Sequence, residues 1–137
     1  MDLSVVIPVF NEEESIGLLI NEIEQSLQDI NYELLIVDDY SNDNTLSVLG
    51  QFKSNNNRIR IIKHDKNYGQ SFAIRSGIKS AKSTWIATID GDGQNDPKDI
   101  GLLVEKIQEG NDLVCGWRKN RKDKLLLRKF PSRVANR

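Results

Sequence analysis

One cysteine, Cys115, stands among the 137 residues, so no intrachain disulfide can form, and a reducing cytoplasmic setting is the expectation. No apolar run approaches the roughly 20 residues that cross a bilayer. The amino terminus, Met1-Asp2-Leu3-Ser4, lacks the basic start and apolar stretch of a signal peptide. These absences exclude a disulfide-stapled scaffold and a membrane span within these residues. Net charge is also scarce, at -1, but the average hides an imbalance. Residues 1–117 hold 10 basic and 19 acidic side chains, whereas residues 118–137 hold 9 basic side chains and a single acid, Asp123. An acidic body thus carries a strongly basic tail.

What is present is a regular alternation of two hydrophobic patterns. Short apolar runs rich in β-branched residues predict buried strands over residues 3–9, 32–37, 59–62, 85–89 and 112–116. Between them, apolar residues recur at helical spacing. Ile16, Leu19, Ile20, Ile23, Leu27 and Ile30 form one stripe, and Leu46, Leu49 and Phe52 a second. Ala73, Ile74, Gly77, Ile78 and Ala81 form a third within 69–81, and Ile100, Leu103, Val104 and Ile107 a fourth closed by Gly110. Asn11 with Glu14 has the spacing of a capping box. Asp96-Pro97 reads as an N-cap followed by a first-turn proline. The pattern predicts one α/β domain with a mostly parallel sheet flanked by helices.

Open parallel sheets bind ligands beyond the carboxyl ends of their strands, which directs attention to those ends. The fourth predicted strand runs into Asp90-Gly91-Asp92-Gly93-Gln94. Two aspartates separated by a glycine can turn both carboxylates towards one point, and such hard oxygens suit Mg²⁺ or Mn²⁺ held jointly with substrate phosphates. Gln94 offers a neutral oxygen. Taken alone, an Asp-x-Asp is also a common solvated turn; its place after a buried strand favours the ligand reading. The second strand ends on Asp38-Asp39, where Asp39 is the expected contact to a base or ribose and Asp38 the structural partner. His64, the single histidine, has no partner visible in sequence and is read as non-catalytic. Cys115 and Trp85 are read as core residues, Arg75 as a surface charge, and Trp117 as either sugar-adjacent or space-filling.

The segments Val5-Val6-Ile7-Pro8-Val9-Phe10-Asn11-Glu12, Ile36-Val37-Asp38-Asp39, Asn67-Tyr68-Gly69-Gln70 and Asp90-Gly91-Asp92-Gly93-Gln94-Asn95-Asp96-Pro97 together resemble the motifs of family 2 glycosyltransferases with the Rossmann-like GT-A fold. The last has the form seen in the branch that includes dolichol-phosphate mannosyltransferase and bacterial undecaprenyl-phosphate glycosyltransferases. Cys115-Gly116-Trp117-Arg118 and the stretch from Arg128 through Pro131 to Asn136 are similar to that branch as well. The resemblance implies that Pro8, Phe10, Glu12, Val37, Asp39, Asp90 and Gly91 line the nucleotide. It further implies that Asp90, Asp92 and Gln94 hold Mg²⁺ or Mn²⁺, and that Arg118 meets phosphate beside Asp92 at the reaction centre. Tyr40 departs from the small residue usual after Asp-Asp. The family's catalytic domain also runs well beyond 137 residues, so the expected organisation is a nucleotide-sugar-binding core over 1–117 and the start of an acceptor-proximal region over 118–137.

The chemistry that follows is transfer of a sugar from a UDP- or GDP-sugar to a polyprenyl phosphate, with inversion. A phosphate acceptor is already anionic at neutral pH, its second pKa being about 6, and needs no general base. It needs cations instead, for which Arg118, Arg128 and Arg133 are the candidates. Leu125, Leu126, Leu127, Phe130 and Val134 interleave with basic residues, as in a segment lying on an anionic membrane, which places the expected site at the cytoplasmic membrane face. Nucleic acid is disfavoured because the acidic body would repel it. Rival readings are a soluble transferase acting on a sugar hydroxyl, a non-catalytic nucleotide-binding fragment, and a phosphoacceptor receiver domain. The last requires its acidic pair after the first strand rather than the second.

Overall fold

The computed structural model describes residues 2–116. Four strands, β1 (Leu3–Val9), β2 (Tyr32–Asp38), β3 (Ile59–Lys63) and β4 (Trp85–Thr88), alternate with four helices, α1 (Ile16–Ser26), α2 (Thr45–Asn55), α3 (Gln70–Ser80) and α4 (Lys98–Gln108). All pairings are parallel, in the order β3-β2-β1-β4. The predicted α/β architecture is therefore present. Among the described residues no helix is long and apolar enough to cross a membrane.

The pleat divides the side chains of β1 and β2 between two faces. Leu3, Val5, Ile7 and Val9, in register with Leu34 and Ile36, pack with Ile16, Leu19, Ile20 and Ile23 of α1, Leu49 of α2 and Ile100 of α4. The opposite face, with Val6 and Val37, lies under α3. This division follows from handedness. Right-handed crossovers running from β1 out to β3 put α1 and α2 on one face, and the return from β3 to β4 puts α3 on the other. Helix α3 sits close because Gly77 carries no side chain: a Cβ there would lie 2.3 Å from Val6 Cγ1.

The predicted fifth strand over 112–116 is absent. Residues 113–116 have no regular structure, and Leu113 is 80% exposed. Handedness explains why. A parallel strand beyond β4 requires its crossover helix on the α3 face, whereas α4 packs against α1 on the other. Cys115 is accordingly an exposed thiol rather than the expected core residue. Trp85 packs on the core edge and Arg75 is exposed, both as expected. The capping box does not form. Asn11 takes a left-handed φ of 55° and its side chain accepts the Asn42 amide, while α1 begins only at Ile16 after Ser15. Pro97 rather than Asp96 is the N-cap of α4, and Asp96 Oδ1 accepts the Lys98 amide.

Candidate nucleotide-sugar site

The chain runs outward from β1 to β3 and then returns to β4 on the other side of β1. The point of reversal is the carboxyl end of β1 and β4, where an open α/β sheet leaves a crevice. A cleft of about 430 Å³ lies there, lined by Pro8, Val9, Phe10 and Glu12 after β1 and by Asp39 after β2. Its remaining wall is Asn67, Gly69, Gln70 and Ala73 around the start of α3, and Asp90, Gly91 and Asp92 after β4. Four carboxylates thus line the cleft, and no lysine or arginine among the described residues does.

Each acidic residue is held differently. Asp39 is only 3% exposed. Its Oδ1 accepts from His64 Nδ1 at 2.7 Å and from the Tyr68 amide at 2.9 Å, and its Oδ2 from the Gly69 amide at 2.6 Å. Burial alone would raise its pKa, but the hydrogen bonds from His64, Tyr68 and Gly69 outweigh it and hold the carboxyl below its ordinary value. Asp38, the expected structural member, accepts the Ser41 amide at 3.3 and 3.4 Å. Glu12 Oε2 accepts the Ser15 hydroxyl at 2.8 Å, and that hydroxyl also lies 2.9 Å from the Gly91 carbonyl. Asp90 Oδ1 receives Gln70 Nε2 at 2.5 Å, and Asp92 Oδ1 the Gln94 amide at 3.0 Å.

Gly91 is sterically required. A Cβ there would approach Val9 Cγ1 to 2.7 Å and the Pro8 carbonyl to 3.0 Å, so this glycine lets the Asp90–Asp92 turn press against the end of β1. Tyr40 adopts a left-handed φ of 70° and stands 51% exposed, so the loop after Asp39 keeps the backbone shape that a small residue would take freely.

Of the sequence-predicted positions, Pro8, Phe10, Glu12, Asp39, Asp90, Gly91 and Asp92 come together in this cleft. Val37 and Gln94 do not line it. Val37 is fully buried on the α3 face, since its alternation along β2 turns it away from the strand end. Gln94 borders an adjacent cleft of about 490 Å³ that also includes Asp90. Among the described residues no three His, Cys, Asp or Glu side chains form a metal-binding group. Arg118, Arg128 and Arg133 lie outside the described residues. Sequence reasoning missed Gln70 and the partners of His64. Gln70 was visible as part of the third motif, whereas His64 meets residues 25 and 12 positions away, a proximity that only folding creates.

The four-stranded parallel sheet, its flanking helices and the cleft at the reversal point define a GT-A fold. The structure of S. aureus TarS residues 1–349 in complex with UDP is similar, with a TM-score of 0.63 at 21% identity over 88% of this chain and 40% of that one. Glucosyl-3-phosphoglycerate synthase from Mycobacterium tuberculosis, in complex with Mn²⁺, UDP and phosphoglyceric acid, gives 0.64 at 23% identity over 77% and 38% of the two chains. The mannosyltransferase PcManGT from Pyrobaculum calidifontis, in complex with GDP-Man and Mn²⁺, gives 0.60 at 20% over 66% and 27%.

The family model for glycosyl transferase family 2 matches residues 4–136, and the chain belongs to that family. It is 44% identical, over 99% of its length, to a dodecaprenyl-phosphate galacturonate synthase of Rhizobium johnstonii. It is 39% identical, over 98% of its length, to an undecaprenyl-phosphate 4-deoxy-4-formamido-L-arabinose transferase of Proteus mirabilis. The chain spans 41% and 42% of the lengths of these two relatives.

Proposed function

We propose that the chain is the nucleotide-sugar-binding part of an inverting, metal-dependent glycosyltransferase that moves a sugar from a UDP- or GDP-sugar to a polyprenyl phosphate. The observation that carries this reading is a cleft at the sheet's reversal point with four carboxylates and no basic side chain among the described residues. A diphosphate cannot enter such a field without a cation to offset it.

Asp90 and Asp92 fit that cation. Each uses Oδ1 in an internal hydrogen bond and keeps Oδ2 available, and two hard carboxylates are the usual protein share of an Mg²⁺ or Mn²⁺ site completed by phosphate oxygens and water. When bound, the ion supplies Lewis-acid stabilisation to the departing diphosphate. Gln70 orients Asp90, while Pro8, Phe10 and Glu12 border the nucleoside. Asp39 Oδ2 accepts a single protein hydrogen bond and offers its remaining acceptor position to a base N–H or a ribose hydroxyl.

The acceptor assignment is supported by the names of the two relatives, both of which act on prenyl phosphates. A phosphate monoester attacks the anomeric carbon directly as an anion, so no carboxylate base is required. Arg118, Arg128 and Arg133 are the groups proposed to draw it to the acidic cleft, and residues 118–137 the segment proposed to lie against the cytoplasmic face of the membrane.

Calorimetric titration of UDP and GDP, each with and without Mn²⁺, tests the reading on wild type and Asp92→Ala. One nucleotide should bind at least tenfold more tightly with Mn²⁺, an advantage of about 1.4 kcal/mol that Asp92→Ala abolishes. Equal affinity with and without metal in both proteins would sink the metal-site assignment.

A further inference from the structure

We infer that His64 is a positioning residue that presets the Asp39 carboxylate at the cleft wall by tying it, through Ser76, to helix α3. The inference rests on the nucleotide reading of the cleft. His64 is 8% exposed and bridges two elements: Nδ1 meets Asp39 Oδ1 at 2.7 Å, and Nε2 meets Ser76 Oγ of α3 at 2.9 Å.

The chemistry of the partners fixes the proton. Asp39 Oδ1 accepts, so Nδ1 carries hydrogen, and the second ring nitrogen, Nε2, faces the Ser76 hydroxyl. Two aromatic rings hold the imidazole in place. Tyr68 stands edge-on at 5.3 Å between centroids and Phe72 at 5.5 Å, and the two stack on each other at 4.6 Å.

The backbone amides of Tyr68 and Gly69 also grip Asp39, but both belong to the loop that precedes α3. Among the described residues, the imidazole alone joins the carboxylate to the helix body. The same helix supplies Gln70 to Asp90, so α3 sets both the nucleoside-side and the metal-side carboxylates of one cleft. Without His64, Oδ1 loses one of its two donors, and the carboxylate is free to turn Oδ2 away from its ligand-facing direction.

The test uses the 137-residue chain as wild type, His64→Leu, His64→Asn and Ser76→Ala. Because His64 is the only histidine, heteronuclear NMR reads its tautomer without assignment ambiguity. The wild type should show hydrogen on Nδ1. Replacement by Leu should weaken UDP or GDP binding about tenfold, as loss of one donor to a buried charge implies, and should shift the Tyr68 and Gly69 amide resonances. Asn places a donor near the position of Nδ1 and should recover most of both effects, with Ser76→Ala intermediate. Hydrogen on Nε2 alone, or wild-type affinity with unmoved amides in His64→Leu, overturns the inference. If Leu prevents folding, the tautomer together with the Asn and Ser76→Ala variants decides it. If the wild type binds neither UDP nor GDP, the nucleotide reading fails, and the tautomer and amide shifts alone judge the positioning role.

Discussion

Tyr40 shows how a single residue is held against its preference. A bulky side chain at a φ of 70° costs about 1–2 kcal/mol relative to the ordinary backbone regions, and with half its surface exposed it recovers little of that by packing. The constraint comes from both sides: the Asp39 amide donates to the Val9 carbonyl at 2.9 Å, and the Ser41 amide turns back to Asp38. Tyr40→Gly should therefore stabilise the fold by roughly 0.5–1 kcal/mol after allowing for the added entropy of the unfolded chain. Urea unfolding midpoints measure the difference. Asp38 and Asp39 make the complementary point, since adjacent identical residues take opposite roles. Alternation along the chain sends one carboxylate to its own turn and the other to the cleft wall, a distinction already readable from position at the strand end.

At the scale of elements, α3 is the piece on which both the sheet and the cleft depend. Its approach to β1 and β2 requires a residue without a side chain at Gly77, where an added Cβ would lie 2.3 Å from Val6 Cγ1 and 3.3 Å from Val37 Cγ2. Those atoms belong to β-branched residues packed in the sheet and have little room to rotate. Gly77→Ala should cost about 1–3 kcal/mol, typical of overpacking, despite the better helix propensity of alanine. A thermal melt read by far-ultraviolet circular dichroism checks this. The existence and order of all eight elements were legible because hydrophobic periodicity is local. The fifth strand and the capping box were misread because neither depends on local pattern alone. A strand needs a neighbour on the correct side of the sheet, and residues 9–15 are diverted by contacts to residues 41–45 more than 25 positions away.

At the scale of the whole molecule, the two edges of the sheet carry different polar networks. The carboxyl edge holds the cleft. Near the amino edge, Glu33 is buried and accepts Ser4 Oγ at 2.7 Å, Arg60 Nη1 at 2.8 Å and the Lys82 amide at 2.8 Å, joining β1, β2, β3 and the loop after α3. Burial would raise the Glu33 pKa, but the bonds from Ser4, Arg60 and Lys82 outweigh it and lower it, as their counterparts do for Asp39. A carboxyl with a native pKa below its unfolded value contributes stability that is complete above the unfolded value and is lost as pH falls through the native one. Urea midpoints should thus hold steady from pH 7 to 5 and decline below about pH 4, the ordinary carboxylate value. In Glu33→Gln the midpoint at pH 7 should be lower and the acid decline shallower. An unchanged acid slope in that variant would show that Glu33 contributes nothing to it.

From the amino-acid sequence alone came the α/β class, the family and seven of the residues that meet in the cleft. The class follows from hydrophobic period, and Asp39, Asp90 and Asp92 from the rule that strand ends face ligands, whereas the family and the places of Pro8, Phe10, Glu12 and Gly91 rest on the resemblance of four short motifs. Tertiary structure decided the rest. It left Val37 and Gln94 outside the cleft lining, brought Gln70 to Asp90, exposed Cys115, and gave His64 two partners where the sequence offered none. The reason is that a crossover hand and a close helix-to-sheet approach fix distances between residues far apart in the chain, and a side chain's chemistry depends on those distances.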